Sequence, residues 1–344
     1  MFDALRGVWD RRKAWSRALV RFAFLLATLG ALGACAHAFE VAPGYSIKEI
    51  PYAGAPLAWI DNESVLFNGA KRKGLSESAI HEGWGESALY SWNTHTGKVT
   101  ELMKIGPLAD LCFDRGYLYE AFYRNGDRII REGPLGKEKE TVIRKGTLRA
   151  KDLTLNRHSC VWQKWPEPTQ KDRGIIEVLR KDHGFIEAER PWDPFPSRQY
   201  FIVPPSRKPI PIDFHGASGA PRYSAFKGAY AFQESISGWG ANLGLKYWLI
   251  YPDGRVELTQ IPPGEWRTGA VYAMPVRNGW FMSSLSMTDT AAGGYIVDGA
   301  NVKLVFNGLI KAFAVSPNGC LVAFGGQPSG GVTPRNAVLD LCGN

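Results

Sequence analysis

One strand-turn-strand pattern recurs six times after residue 40, and this repetition constrains the fold more than any single motif does. Each copy begins with a strand of small or apolar residues, makes a tight polar turn and enters a more hydrophobic strand. The copies are LAWIDNESVLFNG (57–69), LADLCFDRGYLYEAF (108–122), LTLNRHSCVWQKW (153–165), RYSAFKGAYAFQES (222–235), VYAMPVRNGWFMSS (271–284) and AFAVSPNGCLVAFGG (312–326). Their starts are separated by roughly 40–70 residues, close to the length of a four-stranded propeller blade.

A second hairpin follows most copies, as a blade of four antiparallel strands requires. The clearest are residues 89–102 and 247–260, each with a glycine where the turn needs a positive φ. Residues 128–143 and 295–306 fit the same pattern. We therefore predict an all-β fold, a six-bladed β-propeller in which neighbouring sheets bury each other's faces.

The third and sixth units depart from the regular pattern. The third contains two additional hairpins, at 174–190 and 198–212, so either an insertion or a short seventh blade fits the sequence. The sixth has three strands up to AVLDLC, while YSIKEIPY (45–52) alternates like a strand but has no local partner. We expect this N-terminal strand to pair with the last blade, because that pairing closes the ring and removes two open sheet edges.

The first 35 residues are predicted to be a signal peptide rather than part of the fold. Residues 1–21 contain six basic and two acidic side chains, and an uncharged run from Phe22 to Ala36 follows. The apolar part is shorter than the roughly 20 residues that span a bilayer. A positive flank, a short apolar stretch and small residues are the three parts of an export signal. We expect residues 36–344 to form a single propeller domain.

Two processing sites compete at the end of this signal. Leu32-Gly33-Ala34-Cys35 resembles the lipobox of bacterial lipoproteins, in which Cys35 would be acylated and become the new N-terminus. Ala36-His37-Ala38 is instead an A-x-A site for ordinary signal peptidase, with cleavage by residue 38. The sequence favours a lipoprotein that is located in the periplasm or at the outer membrane and is anchored by its lipid. It leaves the soluble, cleaved form open.

Charge and cysteine content narrow the compartment and the partners. The signal accounts for +4 of the formal net charge of +8, so the remaining chain has no concentrated basic face for nucleic acid. Four cysteines remain after Cys35, an even number that suits an oxidising compartment. Cys320 and Cys342 flank a hairpin centred near Gly331, which predicts that they are bonded to each other. The pair Cys112–Cys160 follows by elimination.

The last unit carries a family resemblance. AVSPNGCLVAFGG followed by NAVLDL resembles the repeat of TolB-like and related WD-repeat-like bacterial propellers, and residues 57–102 are similar but lack the Ser-Pro pair. The resemblance implies a propeller fold, an envelope setting, and binding to protein or cell-wall partners. TolB itself has an additional N-terminal domain for which this chain has no room.

Two loops with the same motif are the candidate binding site. Gly-Trp-Gly precedes the third strand in units one and four, so Trp84 and Trp239 could form aromatic walls for a sugar ring or peptide. In the alternative, each indole folds back as a lid on its own blade. The other residues that we expect near this face are His81, Glu82, Glu234, Trp266 and Arg267.

Motifs for catalysis, metal or cofactor binding are not found. The pair Asp213 and His215 alternates on one side of a strand, but no spacing supplies three convergent metal ligands. The sequence has no G-x-S-x-G elbow, Walker loop or dinucleotide-binding βαβ unit, and we expect no cofactor.

Three functions stay open. The sequence favours an exported envelope protein that binds a protein or a cell-wall or carbohydrate ligand on its loop face. A propeller enzyme acting on a sugar or peptide, with Glu82 and Glu234 as acid and base, is the first alternative. A structural subunit of an outer-membrane assembly is the second.

Overall fold

Alternating apolar residues between turns rich in Gly, Asn and Asp form antiparallel strands in the part of the chain described by the computed structural model. The described ranges are 39–50, 53–70, 88–106, 109–144, 153–156, 160–164, 178–180, 185–189, 198–202, 210–212, 217–234, 245–251, 255–261, 270–285, 292–329 and 335–343. All of them belong to the unit Phe39–Asn344. Their regular structure consists of strands, in agreement with the predicted all-β class.

The strands of the first half fall into four separate sheets. The first sheet contains β3 (Ala53–Trp59), β4 (Ser64–Ala70), β5 (Ala88–Asn93) and β6 (Val99–Lys104). The second contains β7 (Asp110–Asp114), β8 (Tyr117–Arg124), β9 (Asp127–Pro134) and β10 (Lys139–Ile143). A two-stranded sheet, β11 (Leu153–Asn156) and β12 (Val161–Lys164), precedes β13 (Val178–Arg180), β14 (Phe185–Glu189), β15 (Arg198–Ile202) and β16 (Ile210–Ile212).

The second half contains one four-stranded and one eight-stranded sheet. The former contains β17 (Ala217–Ser224), β18 (Ala229–Glu234), β19 (Leu245–Ile250) and β20 (Val256–Ile261). The latter contains β21 (Ala270–Val276), β22 (Gly279–Leu285), β23 (Gly293–Asp298), β24 (Asn301–Val315), β25 (Leu321–Pro328), β26 (Arg335–Asp340) and the N-terminal β1 (Glu40–Val41) and β2 (Ser46–Ile50).

All six strand-turn-strand copies form β-hairpins, which confirms that part of the prediction. They are β3–β4, β7–β8, β11–β12, β17–β18, β21–β22 and β24–β25. The third unit differs from the others, because its two additional hairpins pair with each other as the separate β13–β16 sheet.

A single long strand joins the fifth and sixth units, where the sequence suggested two. The N-terminal part of β24 pairs with β23, and its C-terminal part pairs with β25. Gly308 lies between the two parts with a φ of 143°, which residues with a side chain rarely adopt. The chain therefore passes from one half of the eight-stranded sheet to the other without a turn.

Successive sheets pack face to face because neighbouring residues of one strand point to opposite sides. In β4, Val65 and Phe67 pack against the β25–β26 half of the eight-stranded sheet. Leu66, between them, packs on the other side against Leu111 of the β7–β10 sheet. Val65, Leu66 and Phe67 are all fully buried, as the blade prediction requires.

The N-terminal strand pairs with the last strand, as the sequence predicted. Residues of β2 are in antiparallel register with β26, with Ile47 opposite Leu339 and Ile50 opposite Asn336. Ile50 is 3% exposed and packs in the cluster between the β25–β26 half and the β3–β6 sheet. Lys48 donates a hydrogen bond to the carbonyl oxygen of Thr94, on the turn after β5, at 3.0 Å. The strand thus contacts two sheets.

Both expected disulfides are present. Cys112–Cys160 joins β7 to the residue before β12, with Cα atoms 5.1 Å apart. Cys320–Cys342 joins the start of β25 to the residues after β26, with Cα atoms 5.2 Å apart. The first bond connects two different sheets and the second closes the last hairpin.

A buried carboxylate fixes the passage from β6 to β7. Glu120 is fully buried and accepts hydrogen bonds from the backbone N–H of Gly106 at 2.8 Å and from Arg131 at 2.7 Å. Arg131 also donates to Glu140 at 2.7 Å. Burial raises the pKa of Glu120, although the Gly106 N–H and the Arg131 charge act in the opposite direction.

We predict that Ile50→Ala lowers the free energy of unfolding by about 3 kcal/mol, because it leaves a cavity in the contact between two sheets. Urea denaturation followed by tryptophan fluorescence measures the loss. Ser46→Ala changes an exposed residue of the same strand and is the control. Equal urea midpoints for the two variants would contradict the packing described for β2.

A second prediction concerns the pH dependence of stability. Between the ordinary Glu value of 4.5 and the raised pKa of Glu120, the folded protein keeps a proton that the unfolded chain has released. Stability therefore falls as pH rises through this window. Glu120→Gln removes that component, so the difference in unfolding free energy between wild type and variant should change across the window. Glu101→Gln makes the same change at an exposed position of β6 and is the control variant.

Candidate functional site

The strands that begin the hairpins surround a cavity of about 530 Å³. Its walls come from β3, β7, β17, β21 and the C-terminal part of β24, together with Cys160 just before β12. These are the first strands of five of the six recurring hairpins, and the third hairpin contributes Cys160 from the residues between its two strands. The volume lies within the range of about 300–1,000 Å³ that is typical of small-molecule sites.

Three of these wall strands are irregular at the cavity. In β3, Leu57 has no opposite residue in β4, and in β24, Lys311 has none in β25. The register of β17 also shifts immediately before Arg222. Bulges of this kind redirect side chains and are common next to functional sites. Two of the three place a cationic residue on the cavity wall.

Aromatic side chains cover much of the cavity wall. They are Trp59, Phe113, Tyr223, Tyr230, Tyr272 and Phe313. The indole N–H of Trp59 donates to the carbonyl oxygen of Ala314 at 2.9 Å, which links β3 to β24 across two sheets. Tyr272 is 36% exposed, so its ring is accessible.

Arg115 contacts a second sheet within the cavity. It lies in the β7–β8 turn with a φ of 47°, and its guanidinium donates a hydrogen bond to the Tyr230 hydroxyl at 2.9 Å. The guanidinium carbon is 4.3 Å from the centre of the Tyr223 ring, a cation–π distance. The carboxylate of Asp114 is 3.4 Å from its Nε. The charge of Arg115 is thus partnered on three sides.

Two other cations line the cavity without such an acidic partner. The guanidinium carbon of Arg222 is 4.5 Å from the centre of the Tyr272 ring, and burial lowers the pKa of Arg222. Lys311 is exposed at the bulge of β24. No ion pair joins either residue to a carboxylate of the described residues. Since Asp114 offsets Arg115, the described lining keeps two positive charges in excess.

Acidic groups are scarce at this site. Asp114 is the one carboxylate among the described lining residues, and it is already beside Arg115. Within the described ranges, no three His, Cys, Asp or Glu side chains converge as a metal site would require. The arrangement can bind an anion or an aromatic or sugar face, and the described part of it supplies no acid–base pair.

Most of the site residues predicted from the sequence fall outside the part of the chain that the structure describes. His81, Glu82, Trp84, Trp239, Trp266 and Arg267 are outside the described residues, as are Cys35, Asp213 and His215. Glu234 is the last residue of β18, with its backbone opposite Ala217. The pairing of Trp84 with Trp239 therefore stays a prediction, as does the role of Glu82 and Glu234.

Sequence reasoning missed Arg115, Arg222 and Lys311. Each lies at an end of a recurring hairpin segment or within its turn: Arg222 begins RYSAF, Lys311 precedes AFAV, and Arg115 is in the turn of CFDRGY. The signal in the sequence that could have indicated a binding site was therefore a cation in the first strand or in the turn of a repeated unit. Assigning it to the cavity required the order of the sheets.

Comparisons with known proteins identify the fold alone. No family model matches the sequence, and no curated protein matches it. Among solved structures, the chain is similar to the propeller domain of the trilobed protease from Pyrococcus furiosus, which has an open velcro topology. The TM-score is 0.51 at 11% identity over 84% of this chain and 94% of that one.

Two further structures are more distant. The acylaminoacyl peptidase of Pyrococcus horikoshii gives a TM-score of 0.48 at 9% identity, covering 81% of this chain, which spans 50% of that protein. The WD40 domain of Toxoplasma gondii coronin gives 0.37 at 11% identity, covering 89% of each chain. No helix among the described residues is long and apolar enough to cross a membrane. The chain has an all-β, propeller-like fold.

We predict that Arg115 and Tyr230 are energetically coupled. A double-mutant cycle with Arg115→Ala and Tyr230→Phe should give a coupling energy of about 1 kcal/mol. Either single variant already removes the hydrogen bond between the two side chains, so the double variant cannot lose it a second time. The measurement is urea denaturation of the wild type, both single variants and the double variant. Effects that add within about 0.3 kcal/mol would show that this contact does not join the two sheets in solution.

Proposed function

We propose that this protein is a ligand-binding propeller, and that its central cavity receives a small molecule or the end of a larger one. The observation that carries the proposal is the cavity of about 530 Å³ lined by the first strands of the recurring hairpins. The aromatic residues and the two excess cations at this cavity suit recognition. Among the described lining residues, Asp114 is the one carboxylate and it is beside Arg115, which favours binding over acid–base catalysis.

The setting of this function follows from the N-terminal sequence. We propose that residues 1–35 direct export and that Cys35 is acylated. The lipid would then anchor the propeller to a membrane, in the periplasm or at the outer membrane. Four cysteines that form two disulfides support an oxidising compartment. A protein of the envelope or a cell-wall or carbohydrate molecule would then be the partner, with Trp84 and Trp239 as additional contacts.

We also propose six blades in the TolB-like manner, with β2 completing the last one. The four-stranded groups described support this number, counting the two halves of the eight-stranded sheet separately. With six blades, the β13–β16 sheet is the third blade and the β11–β12 hairpin is an insertion before it, whereas the sequence suggested an insertion at 174–190 and 198–212. The alternative is that β11–β12 forms a short seventh blade. Cys160 at its β12 side lines the cavity, which is the observation that favours the alternative.

Blocking the cavity tests the proposed function. Ala312 is an exposed residue of β24 on the cavity wall, so Ala312→Trp places an indole in the space a ligand would use. We expect the wild type to be stabilised against heat by at least one compound of a panel of N-acetylglucosamine, N-acetylmuramic acid, muramyl dipeptide and glucose. The Ala312→Trp variant should lose that shift, because a ligand stabilises only the form that binds it.

The control is Ala300→Trp, which adds the same side chain in the exposed turn between β23 and β24. This variant should keep the wild-type shift. Mass spectrometry of the recovered compound should show it unchanged. Binding that survives in Ala312→Trp would place the site outside the cavity, and a chemically altered compound would make the protein an enzyme.

A further inference from the structure

The positions of Arg222 and Lys311, which have no acidic partner among the described residues, suggest the chemistry of the ligand. Arg222 belongs to β17, Tyr272 to β21 and Lys311 to the C-terminal part of β24. These strands come from three consecutive units of the chain, and all three side chains line the same cavity. The cavity wall therefore includes a guanidinium, an aromatic ring and an ammonium group from three consecutive units.

The environment of Arg222 makes an anion favourable there. A cation withdrawn from water is costly unless an opposite charge compensates it. The Tyr272 ring at 4.5 Å supplies part of that compensation, and within the described residues no carboxylate supplies the rest. A guanidinium also has the planar, forked geometry that binds a carboxylate or phosphate through two parallel hydrogen bonds.

The bulge at Lys311 brings the second charge to the same space. Because Lys311 has no opposite residue in β25, it interrupts the regular alternation that buries neighbouring side chains of β24. Two like charges in a concave site with low-dielectric walls raise the local concentration of anions. Arg115 does not add to this, because Asp114 and Tyr230 already occupy it.

We propose that the cavity binds an acidic sugar, with the sugar's carboxylate or phosphate between Arg222 and Lys311. The ring of the sugar would lie against the exposed face of Tyr272. The volume accommodates one or two sugar rings and excludes a folded protein domain. This inference rests on the proposed binding function and narrows it to one chemical class.

Calorimetric titration with matched sugars tests the charge requirement. Glucuronic acid, glucose 6-phosphate and glucose share the ring and differ in the anionic group. We expect at least one acid to bind roughly tenfold more tightly than glucose, since hydrogen bonds to charged groups are worth about that factor or more. The stronger of the two acids identifies the carboxylate or the phosphate as the group recognised.

Charge-removing variants locate the site. Lys311→Met should weaken binding of the acid roughly tenfold, and should weaken it more than it weakens binding of glucose. Lys139→Met removes a charge from the exposed strand β10 and should change neither. Arg222→Lys keeps the charge but loses the fork, so it should retain part of the affinity that Arg222→Gln loses. Circular dichroism verifies that the Arg222 variants are folded. Because Lys311 is exposed, its replacement is not expected to disturb folding, and it provides the test that does not depend on the half-buried Arg222.

The outcomes separate this inference from the proposed function. Glucose binding as tightly as both acids, or acid binding unaffected by Lys311→Met, overturns the acidic-sugar site while leaving cavity binding in place. The same holds if none of the three sugars binds but the neutral N-acetylglucosamine stabilises the wild type and not Ala312→Trp. Stabilisation by N-acetylmuramic acid and not by N-acetylglucosamine, which lacks its carboxylate, supports the acidic-sugar site. If no compound of either set binds, both proposals are wrong.

Discussion

The burial of both faces of each sheet is the constraint on which the described structure depends. An antiparallel sheet with apolar residues on both sides is not stable in water when only one face is covered, because the residues of the other face remain exposed. In β4, Val65 and Phe67 are covered by one neighbouring sheet and Leu66 by the other. The β25–β26 half repeats this arrangement, with Phe324 on one side and Ala323 on the other. Each sheet therefore needs two neighbours, which an arrangement of successive units provides.

Such an arrangement is complete only if its ends meet. The pairing of β2 with β26 provides the meeting point, since residues near the N-terminus supply the edge strand of the last sheet. Ile50 adds an apolar contact with the first sheet, and the hydrogen bond from Lys48 to Thr94 adds a polar one. The disulfide Cys320–Cys342 fixes the hairpin to which β2 is attached. Closure thus combines backbone pairing, apolar packing and a covalent bond at one place.

The same packing creates the candidate site. The first strands of five hairpins converge on a common space, and several aromatic and cationic residues line it. Strand pairing is irregular at Lys311 and just before Arg222, the two cations that lack a described acidic partner. Arg115 uses its charge to join two sheets, whereas Arg222 and Lys311 are held at the wall without a described acidic partner. One described cation of the cavity therefore joins two sheets, and the two others line its wall without a described acidic partner.

The sequence by itself determined the strand-rich class, the six hairpins, the pairing of the N-terminal strand and both disulfides. These features depend on local alternation and turn residues, and on the spacing of a few cysteines, all of which are visible in one dimension. Only the tertiary structure decided that β24 is continuous through Gly308 and that β13 to β16 form a sheet of their own. It also decided that Arg115, Arg222 and Lys311 share one cavity, because residues up to 196 positions apart meet there only through the packing of successive sheets. The spacing of these residues in the sequence does not indicate that they converge, because the convergence is set by the burial of sheet faces and not by any local conformational preference.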